Sequence, residues 1–151
     1  MVYCLKLIDF IHREAGYYLK GLGHSEEAGF LGMKIVSSWL TKTMPGEYAR
    51  LHDHGTTDIA GVYYFSTDGD DGDLFFTSPI ANAKASKSWA QEKINYPPQQ
   101  GSLLLFPGWL EHGVGTNLKD HARISLSFNV EVVELNELPS SNYRRFTNAQ
   151  K

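Results

Sequence analysis

The sequence predicts a mainly β domain, a jelly roll or double-stranded β-helix with one helix before it. Three observations carry this. A helical apolar period is confined to the first two dozen residues, the period changes to two from Phe30 onward, and the composition is rich in aromatics and glycine. There are 8 Phe, 8 Tyr, 3 Trp and 14 Gly. Aromatic side chains favour pleated, half-buried surfaces, and glycines favour the turns between them. The 151 residues suit one domain, 1–151, a length at which roughly 70% of the unfolded surface is buried without any disulfide staple.

The elements follow in order. Leu7, Ile8, Ile11, Ala15, Tyr18, Leu19 and Leu22 fall on one side of a helix over 5–22, with Lys6, Arg13, Glu14 and Lys20 elsewhere. Gly21 and Gly23 supply its stop. Short period-two runs parted by turn residues then predict strands at about 32–40, 46–54, 59–66, 72–77, 89–96, 101–106, 111–114 and 122–134. The connector Ser66-Thr67-Asp68-Gly69-Asp70-Asp71-Gly72-Asp73 holds four aspartates. It lacks the spacing and closing Glu of an EF-hand, so it reads as a turn cluster rather than a calcium loop. The β-helix core is expected over 30–134. A polar tail, 135–151, is expected to be loosely held, with Arg144 and Arg145 on a solvated face.

Composition excludes several classes. Cys4 is the single cysteine, which rules out an intramolecular disulfide and a Cys-rich zinc module. Fourteen Lys+Arg against seventeen Asp+Glu, net −3, give no basic excess for phosphate-driven nucleic-acid binding. No apolar run approaches ~18 residues, so no membrane span is expected. The stretch Met1 to Ile11 carries Lys6 and Asp9 and lacks a small-residue cleavage site, so it is not read as a signal peptide. A reducing, cytoplasmic setting is the expectation.

The chemistry is concentrated in the histidines. Six are present, and two sit in Leu51-His52-Asp53-His54. On an extended strand, positions i and i+2 share a face, so both imidazoles would point one way and Asp53 the other. Two imidazoles on one face can grip a divalent metal, and His112, after Leu103-Leu104-Leu105-Phe106 and the Pro107-Gly108 turn, is the candidate third ligand. Arg123 and Ser125, in Ala122-Arg123-Ile124-Ser125, place a cation and a hydroxyl on one face of the next strand. A guanidinium inside an apolar barrel needs an anion, and a carboxylate accepts it through two parallel bonds. Three ligands and a carboxylate receptor imply a metal with open positions and an acidic co-ligand. His12, His24 and His121 show no partner pattern and read as surface residues. Trp39, Trp89 and Trp109 read as core or rim.

Two runs of residues then resemble a known family. Gly46-Glu47-Tyr48, His52-Asp53-His54, Gly61-Val62-Tyr63-Tyr64-Phe65, Gly72-Asp73-Leu74-Phe75-Phe76 and Pro79 resemble the first half of an iron(II)/2-oxoglutarate-dependent oxygenase core. Gly101-Ser102-Leu103-Leu104-Leu105-Phe106-Pro107, His112-Gly113-Val114 and Arg123-Ile124-Ser125-Leu126-Ser127-Phe128-Asn129 resemble the second. The similarity covers roughly residues 35 to 130. It is to a branch found in phages and marine bacteria and related to the prolyl hydroxylases. The resemblance implies iron(II) held by His52, His54 and His112. It implies 2-oxoglutarate as co-substrate, its far carboxylate met by Arg123, Ser125 and Tyr64. It implies hydroxylation of a substrate with release of succinate and carbon dioxide. Where the superfamily usually has an Asp as second ligand, this chain has His54, which leaves the metal site one unit more positive. Asp58 is the alternative ligand, four residues further on.

Two other readings use the same residues. A cupin would share fold and metal and need no 2-oxoglutarate, but it gives Arg123 no reason to exist. A non-catalytic jelly-roll binding module would keep the pocket without the chemistry. The pocket is expected to be lined by Val62, Tyr64, Phe75, Leu104, Ile124 and Leu126. The substrate (protein side chain, nucleobase or small molecule) is not legible, and the loops expected to meet it are 55–58, 78–88 and 107–111.

Overall fold

The computed structural model describes residues 2–24, 31–80, 93–134 and 144–145. Among the described residues one helix precedes nine strands: α1 (Val2–Gly21), β1 (Leu31–Thr43), β2 (Ala49–His52), β3 (Ile59–Ser66), β4 (Leu74–Thr77), β5 (Lys93–Tyr96), β6 (Leu103–Pro107), β7 (His112–Val114), β8 (Arg123–Glu134) and β9 (Arg144–Arg145). The strands form two sheets, ordered β6-β3-β8-β1-β9 and β2-β7-β4-β5. The β1–β9, β2–β7, β3–β6, β4–β5 and β4–β7 ladders are antiparallel. This is the jelly-roll arrangement expected of the sequence. The chain falls into two compact units, residues 1–37 with 130–151 and residues 38–129.

In the first unit, α1 buries Ile11, Ala15 and Leu19, spaced by four as one helical face requires. Met33 and Val130 are buried in the same unit. The helix stops at Gly23, whose φ of 92° is open to glycine at no steric cost. His24 N donates to Leu19 O (3.1 Å) and Gly23 N to Lys20 O (3.0 Å), the two bonds of a Schellman cap. One part of the tail differs from expectation. Arg144 and Arg145 form β9, paired with Met33 and Gly32 of β1, so these two residues complete a sheet edge. The remaining tail residues, and Trp89 with the first part of the strand expected at 89–96, lie outside the described residues.

In the second unit, β3 and β6 pair from Ile59↔Pro107 to Tyr63↔Leu103, and β7 lies between β2 and β4 through His52↔His112 and Phe76↔His112. Ala60, Val62, Tyr64, Leu74 and Phe106 form the core cluster, with Phe76, Leu104, Leu110 and Val114 packed against it. Tyr63 and Phe65 take the opposite face of β3 and meet edge to face at 4.9 Å. Phe128 is fully buried. It lies so close over Gly61 that a Cβ there would strike the Phe128 ring and the Leu105 side chain. Gly61 is therefore demanded by packing and not by turn geometry.

Two changes test this close approach. Phe128→Ala is expected to lower stability by about 3–5 kcal/mol, read as a shifted urea midpoint with an unchanged slope. Gly61→Ala is expected to be destabilising in the wild type and less so beside Phe128→Ala, because its methyl then enters vacated space. Equal cost in both backgrounds would show that the two residues do not compete for the same volume.

Candidate active site

The structure brings His52, His54 and His112 together. One ligand atom from each lies within 4.8 Å of the others, and the ring centroids are 5.3 Å (52–54), 4.4 Å (52–112) and 5.0 Å (54–112) apart. His52 and His112 are direct cross-strand partners on β2 and β7. His54 arrives differently from the expected extended strand. β2 ends at His52 after a register shift between Ala49 and His52. The cause is a turn: Asp53 Oδ1 accepts from Gly55 N (2.8 Å), and Thr57 N donates to His54 O (3.3 Å). His54 N is anchored to Gly108 O (2.8 Å).

Each imidazole has its Nδ1 committed within the protein. His52 Nδ1 donates to Arg50 O (2.8 Å), His112 Nδ1 to Leu110 O (2.8 Å) and His54 Nδ1 to Asn129 Oδ1. That fixes one tautomer in all three rings and leaves Nε2, with its lone pair, as the atom offered to a metal. The donor set therefore fits a divalent transition ion. Asp58, the alternative ligand, is not part of this cluster; its carbonyl accepts from Gly108 N (3.3 Å). Burial pushes the His112 imidazole down to about 4, the two neighbouring imidazoles adding to the effect and the Leu110 hydrogen bond opposing it. His112 is thus held neutral, the form a ligand needs.

The same pocket contains Arg123, Ser125 and Tyr64. Arg123 is 3% exposed. Its Nη1 donates to Gly72 O (2.6 Å) and Asp71 O (3.3 Å), and its Nη2 to Thr43 Oγ1 (3.1 Å), while its Nε has no partner. Among the described residues no ion pair joins it to a carboxylate. Gly72 must be glycine: its φ is 106°, and a Cβ would meet the carbonyl of Gly115. Tyr64 sits beneath the cation, with the guanidinium carbon 5.9 Å from its ring centroid. Burial pushes the Tyr64 phenol up to about 12, Arg123 pulling the other way and Asp71 and Asp73 adding to the rise. It stays protonated and can donate.

The pocket has a volume of ≈ 570 Å³. The period of two decides who lines it. On β8, Arg123, Ser125 and Ser127 face inward, and on β1, Trp39, Thr41 and Thr43 do. The expected lining residues Val62 and Tyr64 are there, but Ile124 and Leu126 alternate to the other face of β8, and Phe75 yields to Leu74 on β4. Leu104 packs on the core cluster without reaching the pocket, whose wall from β6 is Phe106. Trp39, 42% exposed, stands at the rim with its ring 5.9 Å from that of His54. Sequence reasoning missed Thr43 and Asn129. The signal for Asn129 was present: Arg123, Ser125, Ser127 and Asn129 are the polar half of a strictly alternating strand.

The family model described as "Putative 2OG-Fe(II) oxygenase" matches residues 37–129, more than half of the chain and the whole of the pocket. The chain belongs to that family. Iron(II) and 2-oxoglutarate (2OG) are the cofactor and co-substrate of 2OG-Fe(II) oxygenases, and the family is one of oxidoreductases. No curated protein matches the sequence. Among solved structures, an oxidoreductase of the 2OG-Fe(II) oxygenase family from Burkholderia pseudomallei is similar at 13% identity and a TM-score of 0.54, over 66% of this chain and 45% of that one. AviO1 from Streptomyces viridochromogenes Tue57 is similar at 14% identity and a TM-score of 0.52, over 71% and 53%. The non-heme alpha ketoglutarate dependent epimerase SnoN from nogalamycin biosynthesis is similar at 12% and 0.51, over 66% and 49%. At these identities the likeness is one of fold, and the chain spans about half the length of these structures.

The depressed His112 pKa makes a prediction for the metal-free protein. Between about pH 6.5 and pH 4 the unfolded chain binds a proton at this position and the folded chain does not. Stability is therefore expected to fall as pH drops through that window, by about 3 kcal/mol in total, and to level off below it. Urea unfolding at pH 7.5 and pH 4.5 in the presence of a chelator measures the loss. His112→Phe is expected to remove most of it; an identical loss in that variant would place the responsible proton elsewhere.

Proposed function

We propose that the protein is an iron(II)/2-oxoglutarate-dependent oxygenase that hydroxylates a substrate R–H. One oxygen atom of O2 would enter the alcohol R–OH and the other the succinate formed as 2-oxoglutarate loses carbon dioxide. The observation that carries this reading is the pairing of two incomplete groups in one pocket. Three imidazoles present free Nε2 atoms, and a buried guanidinium has no anion. A 2-oxoglutarate dianion answers both needs, its keto-acid end at the imidazole cluster and its far carboxylate at Arg123. A cupin-type metal protein would use the same histidines but leave the buried cation unexplained.

His52, His54 and His112 would hold the metal. Bound iron(II) with 2-oxoglutarate supplies the oxygen-activating chemistry; the chain supplies position, charge and exclusion of water. Arg50 O, Leu110 O and Asn129 Oδ1 keep the three rings turned toward one point. Arg123 would grip the far carboxylate, with Ser125 donating a hydroxyl and the protonated Tyr64 a phenol O–H. Trp39 and Tyr48, both exposed and both lining the pocket, stand where a substrate enters. The proposed setting is cytoplasmic, and R–H is a protein side chain, a nucleobase or a small molecule.

Two outcomes are expected. Arg123→Ala should weaken 2-oxoglutarate by an amount equivalent to about 2–5 kcal/mol while leaving iron(II) affinity intact, and Arg123→Lys should restore only part, since an ammonium cannot form the two-pronged contact. Anaerobic titration followed by the charge-transfer absorbance of the complex measures both ligands. Equal 2-oxoglutarate affinity in wild type and Arg123→Ala would remove the reason for preferring an oxygenase to a cupin. Slow release of succinate without substrate, abolished in His112→Ala, is the accompanying sign of activity.

Asn129→Ala is expected to weaken iron(II) by about 10- to 100-fold, the usual cost of losing the partner of a metal-binding imidazole. His54→Ala should cost at least as much. If His54→Ala binds iron(II) as tightly as the wild type, His54 is not a ligand; if only Asn129→Ala does, Asn129 does not position it.

A further inference from the structure

The aspartate-rich connector that the sequence offers as a plain turn cluster is more than that. Asp68, Asp71 and His121 each bring one ligand atom within 4.8 Å of the other two. They come from different connectors, one between β3 and β4 and one between β7 and β8. Asp71 is 0% exposed; Thr67 Oγ1 donates to its Oδ1 (2.7 Å), and its Oδ2 is buried with no partner. A buried carboxylate oxygen without a donor is costly, and a cation relieves it.

His121 adds an independent indication. Its Nδ1 donates to Asp120 Oδ1 (3.1 Å), and its Nε2 faces Asp68 Oδ2 at 3.5 Å. The Asp120–His121 pair is also the carboxylate–imidazole arrangement that orients metal-binding histidines. Lys119 does not fill the place: its Nζ is 2.7 Å from Asp70 and 3.9 Å from Asp68. Tetrahedral zinc, with ligands at roughly 2.0–2.2 Å, sets ligand atoms about 3.4 Å apart. The Asp68–His121 edge already has that length.

We propose that Asp68, Asp71 and His121 form a second divalent-cation site, separate from the three-imidazole cluster, which fastens the β3–β4 connector to the β7–β8 connector. Two carboxylates and a neutral imidazole carry two negative charges and suit zinc-class ions, with water in the remaining position. The site is structural. It lies beside the backbone that frames the pocket, for Asp71 O and Gly72 O accept from Arg123 Nη1. Asn117, buried, donates to His121 O (2.8 Å) and Thr43 O (3.1 Å). The proposal does not rest on the oxygenase reading.

Metal analysis with Zn2+ alone, after desalting, tests it. The wild type is expected to keep about two equivalents, His121→Ala about one, His52→Ala/His112→Ala about one and the triple variant none. His121 is about half exposed, so its truncation reports ligation and not loss of fold. Asp71→Asn is expected to weaken the second equivalent at least tenfold. If the three-imidazole reading were wrong instead, the wild type would hold about one equivalent and His121→Ala none, which still supports this site. An unchanged Zn2+ count on adding His121→Ala in both backgrounds overturns the proposal.

Discussion

Arg123 is buried, and its donors reach only neutral oxygens: two backbone carbonyls and one threonine hydroxyl. Removing a guanidinium from water costs several kcal/mol even after relaxation, and neutral acceptors recover only part of it. Each acceptor therefore has to be fixed in place by something else. Gly72 adopts a positive φ, packs against the Gly115 carbonyl and so turns its own carbonyl oxygen to Arg123 Nη1. Gly115 N donates back to Asp73 O (2.8 Å), so the two connectors hold one another. Thr43, nearly buried, is the last residue of β1 and faces inward with Thr41 and Trp39. The cation is held ready at a cost that a bound carboxylate would offset.

The alternation of strands converts this requirement into a pocket. On β8, one face carries Arg123, Ser125, Ser127 and Asn129, and the other carries Ile124, Leu126 and Phe128. A slip of one residue would exchange the two sets, burying aliphatic side chains in the pocket and a cation in the core. The register is pinned where Phe128 lies over the bare backbone of Gly61. Asn129 extends the same polar face to the imidazole cluster, where its Oδ1 accepts a hydrogen bond from His54 Nδ1. One strand therefore serves both ends of the site: its first residue provides the cation and its seventh orients a candidate ligand.

Most of the architecture was legible because it rests on local periods. The helix, its glycine stop and most strand positions follow from spacing, His52, His112, Arg123 and Ser125 follow from short patterns on strands, and Tyr64 follows from the family resemblance alone. What was not legible depends on turns and on distant partners. Asp53 capping Gly55 ends β2 early, so His54 reaches its neighbours through a turn and not along a pleat. The pairing of Thr43 with Arg123 spans 80 positions and that of His54 with Asn129 spans 75, separations at which no short pattern couples two residues. Phe75, Leu104, Ile124 and Leu126 do not line the pocket because hydrophobicity does not mark the inward face here. In this pocket the inward face of β8 is polar.

The charges of the lining complete the physical picture. Three neutral imidazoles leave a bound divalent ion its whole charge, where two imidazoles and a carboxylate would leave it one unit less. At the other end stands a guanidinium without a counterion. Among the lining residues only Glu47 carries a negative charge, and its Oε2 is already engaged by Met44 N (2.7 Å). Metal in the proposed site would therefore make the pocket strongly cationic between walls that include Val62, Leu74, Phe106 and Val114. Low-dielectric walls strengthen the field between such charges and keep salt from screening it. A monoanion would answer one end only, whereas a dicarboxylate carries one charge for each end. With His54 as the proposed second ligand, the demand for an anionic co-ligand would increase, and the buried Arg123 and the three-imidazole cluster would act as parts of one electrostatic arrangement.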